Sequence, residues 1–147
     1  MAKDYPRRAL SDDSVFTDMW ILQMFAGWFD PCPFVPGWSK GKHVDGLTLD
    51  WPDRTYVNPP YSSPLDWVKK AIKTSRAGKT IVLLLKHDSS TEWYRLLHEA
   101  GAHFLLITGR LKHQTDKPAA FPSLLAVLPS CNLPDGQTTL KEWREEE

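Results

Sequence analysis

Residues 80 to 85 read "TIVLLL", and a run with so little polar relief is hard to place on a protein surface. A strand with one wet face alternates apolar and polar side chains, so an unbroken run is expected where both faces are covered. The segments around it have a different period. In "SSPLDWVKKAIKTSRAG", Leu65, Val68, Ala71 and Ile72 recur at helical spacing. Ser63 is a good N-cap, Pro64 suits the first helical position, Asp66 completes a start like a capping box, and Gly78 ends the helix. "STEWYRLLHEAG" repeats the pattern of cap, amphipathic helix and glycine, with Trp93, Leu96, Leu97 and Ala100 turned inward.

Two more buried strands follow, "HFLLIT" and "SLLAVLP". Upstream, "SDDSVFTDMWILQMFAG" predicts a helix from about Thr17 to Ala26, with Trp20, Ile21 and Met24 on one face and Gly27 as its stop. "WFD" reads as a short strand broken at Pro31, and "TYVN" as a strand bounded by prolines. Buried strands alternating with capped helices predict an α/β sandwich with a mostly parallel sheet. Such sheets bind ligands at the carboxyl ends of their strands, where Asp30 and Asn58 fall.

A chain of 147 residues suits one domain, and residues 1–12 and 138–147 read as loose ends. No run approaches the ~20 apolar residues of a membrane span, and "MAKDYPRRAL" has no apolar signal core. Cys32 and Cys131 form no disulfide framework, and neither they nor the five histidines have metal-ligand spacing. The expectation is a cytoplasmic protein with neither membrane nor metal, its oligomeric state not legible. Eighteen basic and eighteen acidic residues cancel, which speaks against gripping nucleic acid by bulk charge alone. The cluster Lys69, Lys70, Lys73, Arg76 and Lys79 reads as a solvated helix face, and the tail "KEWREEE" is acidic. Seven tryptophans and twelve prolines point to rigid loops and stacking surfaces.

The chemistry concentrates in "NPPY", residues 58 to 61. Asn58 precedes proline and is held extended. Pro59 and Pro60 lack N–H groups, so the backbone offers only acceptors. The amide oxygen of Asn58 adds another acceptor and Tyr61 a flat ring. Fixed acceptors beside a stacking face match a planar group bearing an exocyclic NH₂, such as adenine. Accepting both amino protons keeps the nitrogen lone pair out of the ring and makes that nitrogen a better nucleophile.

This tetrapeptide matches the (D/N/S)-P-P-(Y/F/W) motif of amino-methyltransferases, and the resemblance extends along the chain. "VFTDMWILQMFAGWFDPCPF", "DGLTLDWPDRTYVNPPYSSPLDWVKKA", "GRLKH" and "AAFPSLLAVL" resemble, in order, the blocks of the phage-type DNA N6-adenine methyltransferases, over roughly residues 14 to 128. The resemblance implies a Rossmann-like methyltransferase sandwich, reduced in size, that uses S-adenosyl-L-methionine. Its substrate would be double-stranded DNA, with the target base rotated out of the duplex. Asn58 and the Pro59 carbonyl, with Pro60, would hold the amino group while Tyr61 stacks on the base. Asp30, Pro31 and Cys32 stand at the cofactor motif, with Asp30 facing the methionine ammonium, and Thr17 stands where the family carries a Thr-Pro pair. Asp45 and Asp50 are candidates for the ribose hydroxyls. Ser62, Lys86 and Arg110 are candidates for DNA contact, although Lys86 reads more readily as a solvated lysine and Arg110 equally as a residue that orders its own loop.

The chain has Thr17-Asp18 in place of Thr-Pro, and "PCPFVPGWSKGK" is no compact glycine-rich turn. Cys32 reads as a small packed side chain and Trp67 as packing α-helix against sheet. Sequence preference would come from residues 33–54 and 109–121. The same motif serves enzymes acting on RNA bases or protein glutamines, and a binding module that has lost turnover is a third reading. A phage-encoded enzyme would work in the host cytoplasm.

Overall fold

A computed structural model of the chain describes residues 19–33, 45–60, 62–109, 111, 121–129 and 138–139. Helix α1 spans Met19–Met24, shorter than the periodicity predicts, and its upstream end at Thr17 lies outside the described residues. Gly27, at φ 83°, turns the chain away in a conformation that side-chain-bearing residues rarely adopt. Five strands follow: β1 (Thr55–Val57), β2 (Ile81–Lys86), β3 (His103–Leu106), β4 (Ser123–Leu128) and β5 (Thr138–Thr139). Helix α2 (Leu65–Arg76) joins β1 to β2, and α3 (Glu92–Glu99) joins β2 to β3.

The sheet order is β1-β2-β4-β3-β5. The expectation of a mostly parallel sheet does not hold: the sheet is mixed and its pairing mostly antiparallel. β4 runs antiparallel to both β2 and β3, in ladders of six and four residue pairs, against three and two in the parallel ladders β1–β2 and β3–β5. The cause is one reversed strand. β2 and β3 point the same way with a strand's width between them, and β4 returns to fill it. An unbroken apolar run reports that both faces are covered but says nothing of direction, because hydropathy is the same read either way. Residues 107–122 between β3 and β4 are also long enough for a crossover, so loop length did not separate the two cases.

Side chains alternate between two cores, as a pleat requires. Val57, Leu83, Leu85, Phe104, Leu124 and Ala126 face a core shared with Trp67, Val68, Ala71 and Ile72 of α2 and Trp93 and Leu97 of α3. Tyr56, Val82, Leu84, Leu105 and Leu125 face the opposite side, where Ile21 of α1 is buried. A leucine fully buried there contributes about 1.5–3 kcal/mol. The three layers confirm "TIVLLL" as a strand covered twice.

Local starts differ in detail from the sequence reading. Thr91 caps α3 as expected, its hydroxyl accepting from the Tyr94 N–H at 3.3 Å. Ser63 does not cap α2. Pro64 already has helical angles and accepts from the Val68 N–H at 3.0 Å, while the Ser63 N–H donates to Pro60. Asp66 is exposed in the first turn, where a carboxylate favours the positive helix end without closing a capping box. "WFD" forms no strand, only a single parallel bridge from Phe29 to Thr55.

The segment before β1 is tied down by side chains. Asp45 begins a 3₁₀ turn, Gly46–Thr48, by accepting from the Leu47 N–H at 3.0 Å. Trp51 is buried against Trp67, ring centroids 6.0 Å apart. Arg54 sits at φ 62° and turns its carbonyl to the Phe29 N–H at 3.0 Å. Asp53 accepts from the Thr80 N–H at 2.8 Å, holding the loop to the entrance of β2.

That bond, foremost among several, pulls the Asp53 carboxyl below its ordinary value. A carboxylate with a depressed folded pKa stabilises the fold above its unfolded value, and the benefit is lost as pH falls through the folded one. Asp53→Asn should therefore flatten the fall in stability below pH 3.8. Denaturant midpoints of both proteins across acid pH would show it. Identical acid limbs would mean the Thr80 contact carries no charge-dependent stability. Asp88, held low by Ser90, should leave a residual slope.

Candidate active site at the carboxyl end of β1

β1 ends at Val57, and the next three residues are all buried. Asn58 is 6% exposed, and Pro59 and Pro60 are closed off beneath the surface. The two proline carbonyls have different fates. Pro60 accepts from the Ser63 N–H at 3.2 Å, the turn that leads into α2. Pro59 accepts no hydrogen bond from the described residues. Its oxygen therefore keeps its acceptor capacity toward a donor from elsewhere. The amide of Asn58, the adjacent residue, supplies a second acceptor type at the same strand end.

Asp30 follows the Phe29 bridge to Thr55, so the two chain segments leave the sheet edge in the same direction. Its Oδ1 accepts from the Cys32 N–H at 2.9 Å, which fixes the carboxylate in a tight turn around Pro31. Cys32 is 5% exposed and packs into the core, a small packed side chain as its sequence context suggests. Pro31 is buried against Gly46, so closely that a Cβ on Gly46 would lie 1.9 Å from the Pro31 carbonyl oxygen. This contact brings Asp45 to the corner that holds Asp30. The carboxylate of Asp45, however, is engaged as the cap of the 3₁₀ turn.

Asp50 is not part of this corner. It is exposed and lines a hollow along α2 together with Trp51 and Lys70. Lys86, at the far end of β2, is three residues beyond the partner of Val57 in a parallel ladder, roughly 10 Å further along. Its ammonium is 3.7 Å from Asp88 and 5.8 Å from the Phe121 ring centre, with the side chain 46% exposed. An exposed pair of that kind holds its cation weakly. Ser62 is exposed beside the turn. Thr17, Tyr61 and Arg110 lie outside the described residues. Among the described residues no group of His, Cys, Asp or Glu could hold a metal ion, and no helix is long and apolar enough to cross a membrane.

Residues 39–120 match the model of the DNA N-6-adenine-methyltransferase (Dam) family. That span is more than half of the chain. The chain belongs to this family. It is 32% identical to a protein of Haemophilus phage HP1 named DNA N-6-adenine-methyltransferase, over 67% of this chain and 65% of the relative. A protein of the same name from Escherichia phage T1 is 34% identical, over 54% of this chain and 29% of its own length. The chain thus spans less than two thirds of the length of either relative. No solved structure matches.

The sequence reading gave no role to three residues that shape this corner of the Dam-family fold. Gly46 is needed for a close approach between two backbones. Trp51 donates its indole N–H to the Gly46 carbonyl at 3.0 Å, pinning the same glycine from below. Lys70 read as part of a solvated face, but its ammonium donates to the carbonyls of Leu47, at 2.8 Å, and Leu49. Only the "DG" dipeptide hinted at any of this, and it signals a turn without naming what the turn packs on. Because Pro31 meets Gly46 with backbone, Gly46→Ala has no side chain to push aside. The variant should lose ~1–3 kcal/mol or more of stability in urea titrations. A wild-type midpoint would show that the corner is not packed in this way.

Proposed function

We propose that this Dam-family protein methylates the N6 amino group of adenine in DNA, with S-adenosyl-L-methionine as methyl donor. The observation that carries the reading is the Pro59 carbonyl, which accepts no hydrogen bond from the described residues, beside the buried Asn58 at the end of a fixed strand. An exocyclic amine brings two N–H groups in one plane. Asn58 would accept one through its side-chain oxygen and Pro59 the other through its carbonyl. Both acceptors are set by the proline backbone before the base arrives, so little reorganisation is needed as charge builds on nitrogen. With its protons held there, the amine keeps its lone pair available for attack. Tyr61 would supply the face on which the base, turned out of the duplex, stacks.

The donor would sit beside the Asp30 turn. S-adenosylmethionine supplies a methyl group bound to positively charged sulfur, and its amino-acid end carries an ammonium group. The chemistry of the corner suits that end: Asp30 presents a carboxylate already oriented by the Cys32 N–H. Thr17 would line the same site. Pro31 and Cys32 would contribute shape, and Asp45 its remaining acceptor capacity toward a ribose hydroxyl. Asp50, turned toward α2, is the weakest member of this set. Ser62, Lys86 and Arg110 would contact DNA around the target base.

Incubation with labelled S-adenosylmethionine and adenine-containing duplex should place label in N6-methyladenine. Label found only in RNA, or only in protein, would overturn the assignment of substrate. Asn58→Ala should lower turnover by about 10²–10³-fold, the scale seen when one preorganised polar contact is removed, with donor affinity nearly intact. A variant that keeps most of its rate would remove the acceptor argument. Tyr61→Ala should weaken base binding by ~1–3 kcal/mol, while Tyr61→Phe stays close to wild type. Equal damage from both would assign the role to the hydroxyl.

A further inference from the structure

The cations of α2 do not all have the same work. Lys70 is committed to the Leu47 and Leu49 carbonyls, and Lys79 donates to the Trp51 carbonyl at 3.2 Å. Lys69, Lys73 and Arg76 are exposed, and none is ion-paired. They succeed one another at spacings of four and three residues, which puts all three on one stripe of the helix. The neighbouring helix treats its cation differently. Arg95 of α3 is 2.8 Å from Glu99 and 4.0 Å from Glu92. The cation of α3 is balanced within its own helix, whereas the three on α2 are not.

Helix electrostatics account for part of the stripe only. Lys73 and Arg76 fall in the last turn, where the helix end favours cations, but Lys69 does not. Like charges four residues apart repel on a helix, so Lys69 beside Lys73 works against α2. The surface is also shaped. Lys69 and Lys73 form the ridge between two hollows, one of about 520 Å³ toward Lys70 and Lys79, the other of about 260 Å³ toward Arg76. Two carboxylates also line them: Glu99, engaged by Arg95, and Asp50 beside Lys70.

We infer that the Lys69–Lys73–Arg76 stripe binds the phosphate backbone of DNA, independent of sequence, along the helix that leads away from the amino-group site. The dimensions agree. From Lys69 to Arg76 the helix rises ~10 Å. One DNA strand presents a phosphate every ~3.4 Å of axis, so the stripe spans about three phosphates with three cations. The stripe begins near the site and leads away from it: α2 starts directly after the turn at Pro60, Lys69 lies about one helical turn along it, and Lys73 and Arg76 lie in its last turn. The inference rests on the DNA reading for the identity of the polymer, while the stripe itself requires only a regularly spaced polyanion. It also answers the neutral net charge: a chain without bulk attraction for DNA needs its unpaired cations gathered on one face.

The test is fluorescence anisotropy of a short labelled duplex over a series of salt concentrations. Each phosphate neutralised contributes about 0.9 to the slope of log affinity against log salt. The triple variant Lys69→Gln, Lys73→Gln, Arg76→Gln should therefore lose about 2.7 from that slope, and Lys73→Gln alone about 0.9. The charge-keeping variant Lys69→Arg, Lys73→Arg should retain the wild-type slope, with circular dichroism confirming the fold of each. An unchanged slope in the triple variant overturns the inference, as does a wild-type protein that does not bind duplex. So does polyglutamate competing as well as DNA, which would make the partner an acidic protein. Failure of the proposed function looks different. In that case no N6-methyladenine forms, while the slope and its loss in the triple variant persist.

Discussion

Two backbone hydrogen bonds at the sheet edge set the geometry on which the rest depends. The Phe29 N–H donates to the Arg54 carbonyl at 3.0 Å, and the Tyr56 N–H to the Phe29 carbonyl at 2.8 Å. They join a segment too short to be a strand to β1, in parallel. Asp30 and Asn58 consequently emerge at the same end of the sheet, although 28 positions of sequence numbering separate them. Arg54 adopts left-handed angles to make the first bond possible, a conformation that costs a non-glycine residue about 1–2 kcal/mol. The chain leading into it is held at Thr80 by Asp53 and at α2 by Trp51, so the strained residue follows two fixed points.

Much of this was legible from residue types. "TIVLLL" gave a strand covered on both faces because only apolar side chains tolerate two covers. Asn58-Pro59-Pro60 gave a stiff row of acceptors because proline removes donors and fixes φ. The sequence pattern could not report contacts made by a residue's absence of bulk, which is how Gly46 meets Pro31. Nor could it separate Lys70 from Lys69, neighbours of one type with opposite employment, since an ammonium that seeks carbonyls looks the same as one that faces water. The Ser63 cap failed for a local reason: Pro64 was already helical and took the cap position, one residue beyond the serine.

The site and the stripe share a logic of unmet demand. The Pro59 carbonyl, which accepts no hydrogen bond from the described residues, and the unpaired cations on α2 both keep capacity for a partner. Each is what would be expected of a surface completed by its partner. The aromatic residues have the opposite character. Trp51, Trp67 and Trp93 are spent inside the protein, where they seal the layer between α2, α3 and the sheet. The tryptophan-rich composition thus serves architecture among the described residues.

The reversed strand has a consequence for how such a chain comes off the ribosome. β2 and β3 are made first, and the strand that will hold them parallel, about 10 Å apart in the finished sheet, is made after both. Until Ser123–Leu128 has been synthesised, each offers a bare apolar edge, the condition under which nascent proteins pair with the wrong neighbour. The strand that closes the gap is the one whose hydrogen bonds reach both sides at once. The middle of this sheet is therefore the last of its three longest-running neighbours to exist, and the domain acquires its interior only when that late arrival slides into place.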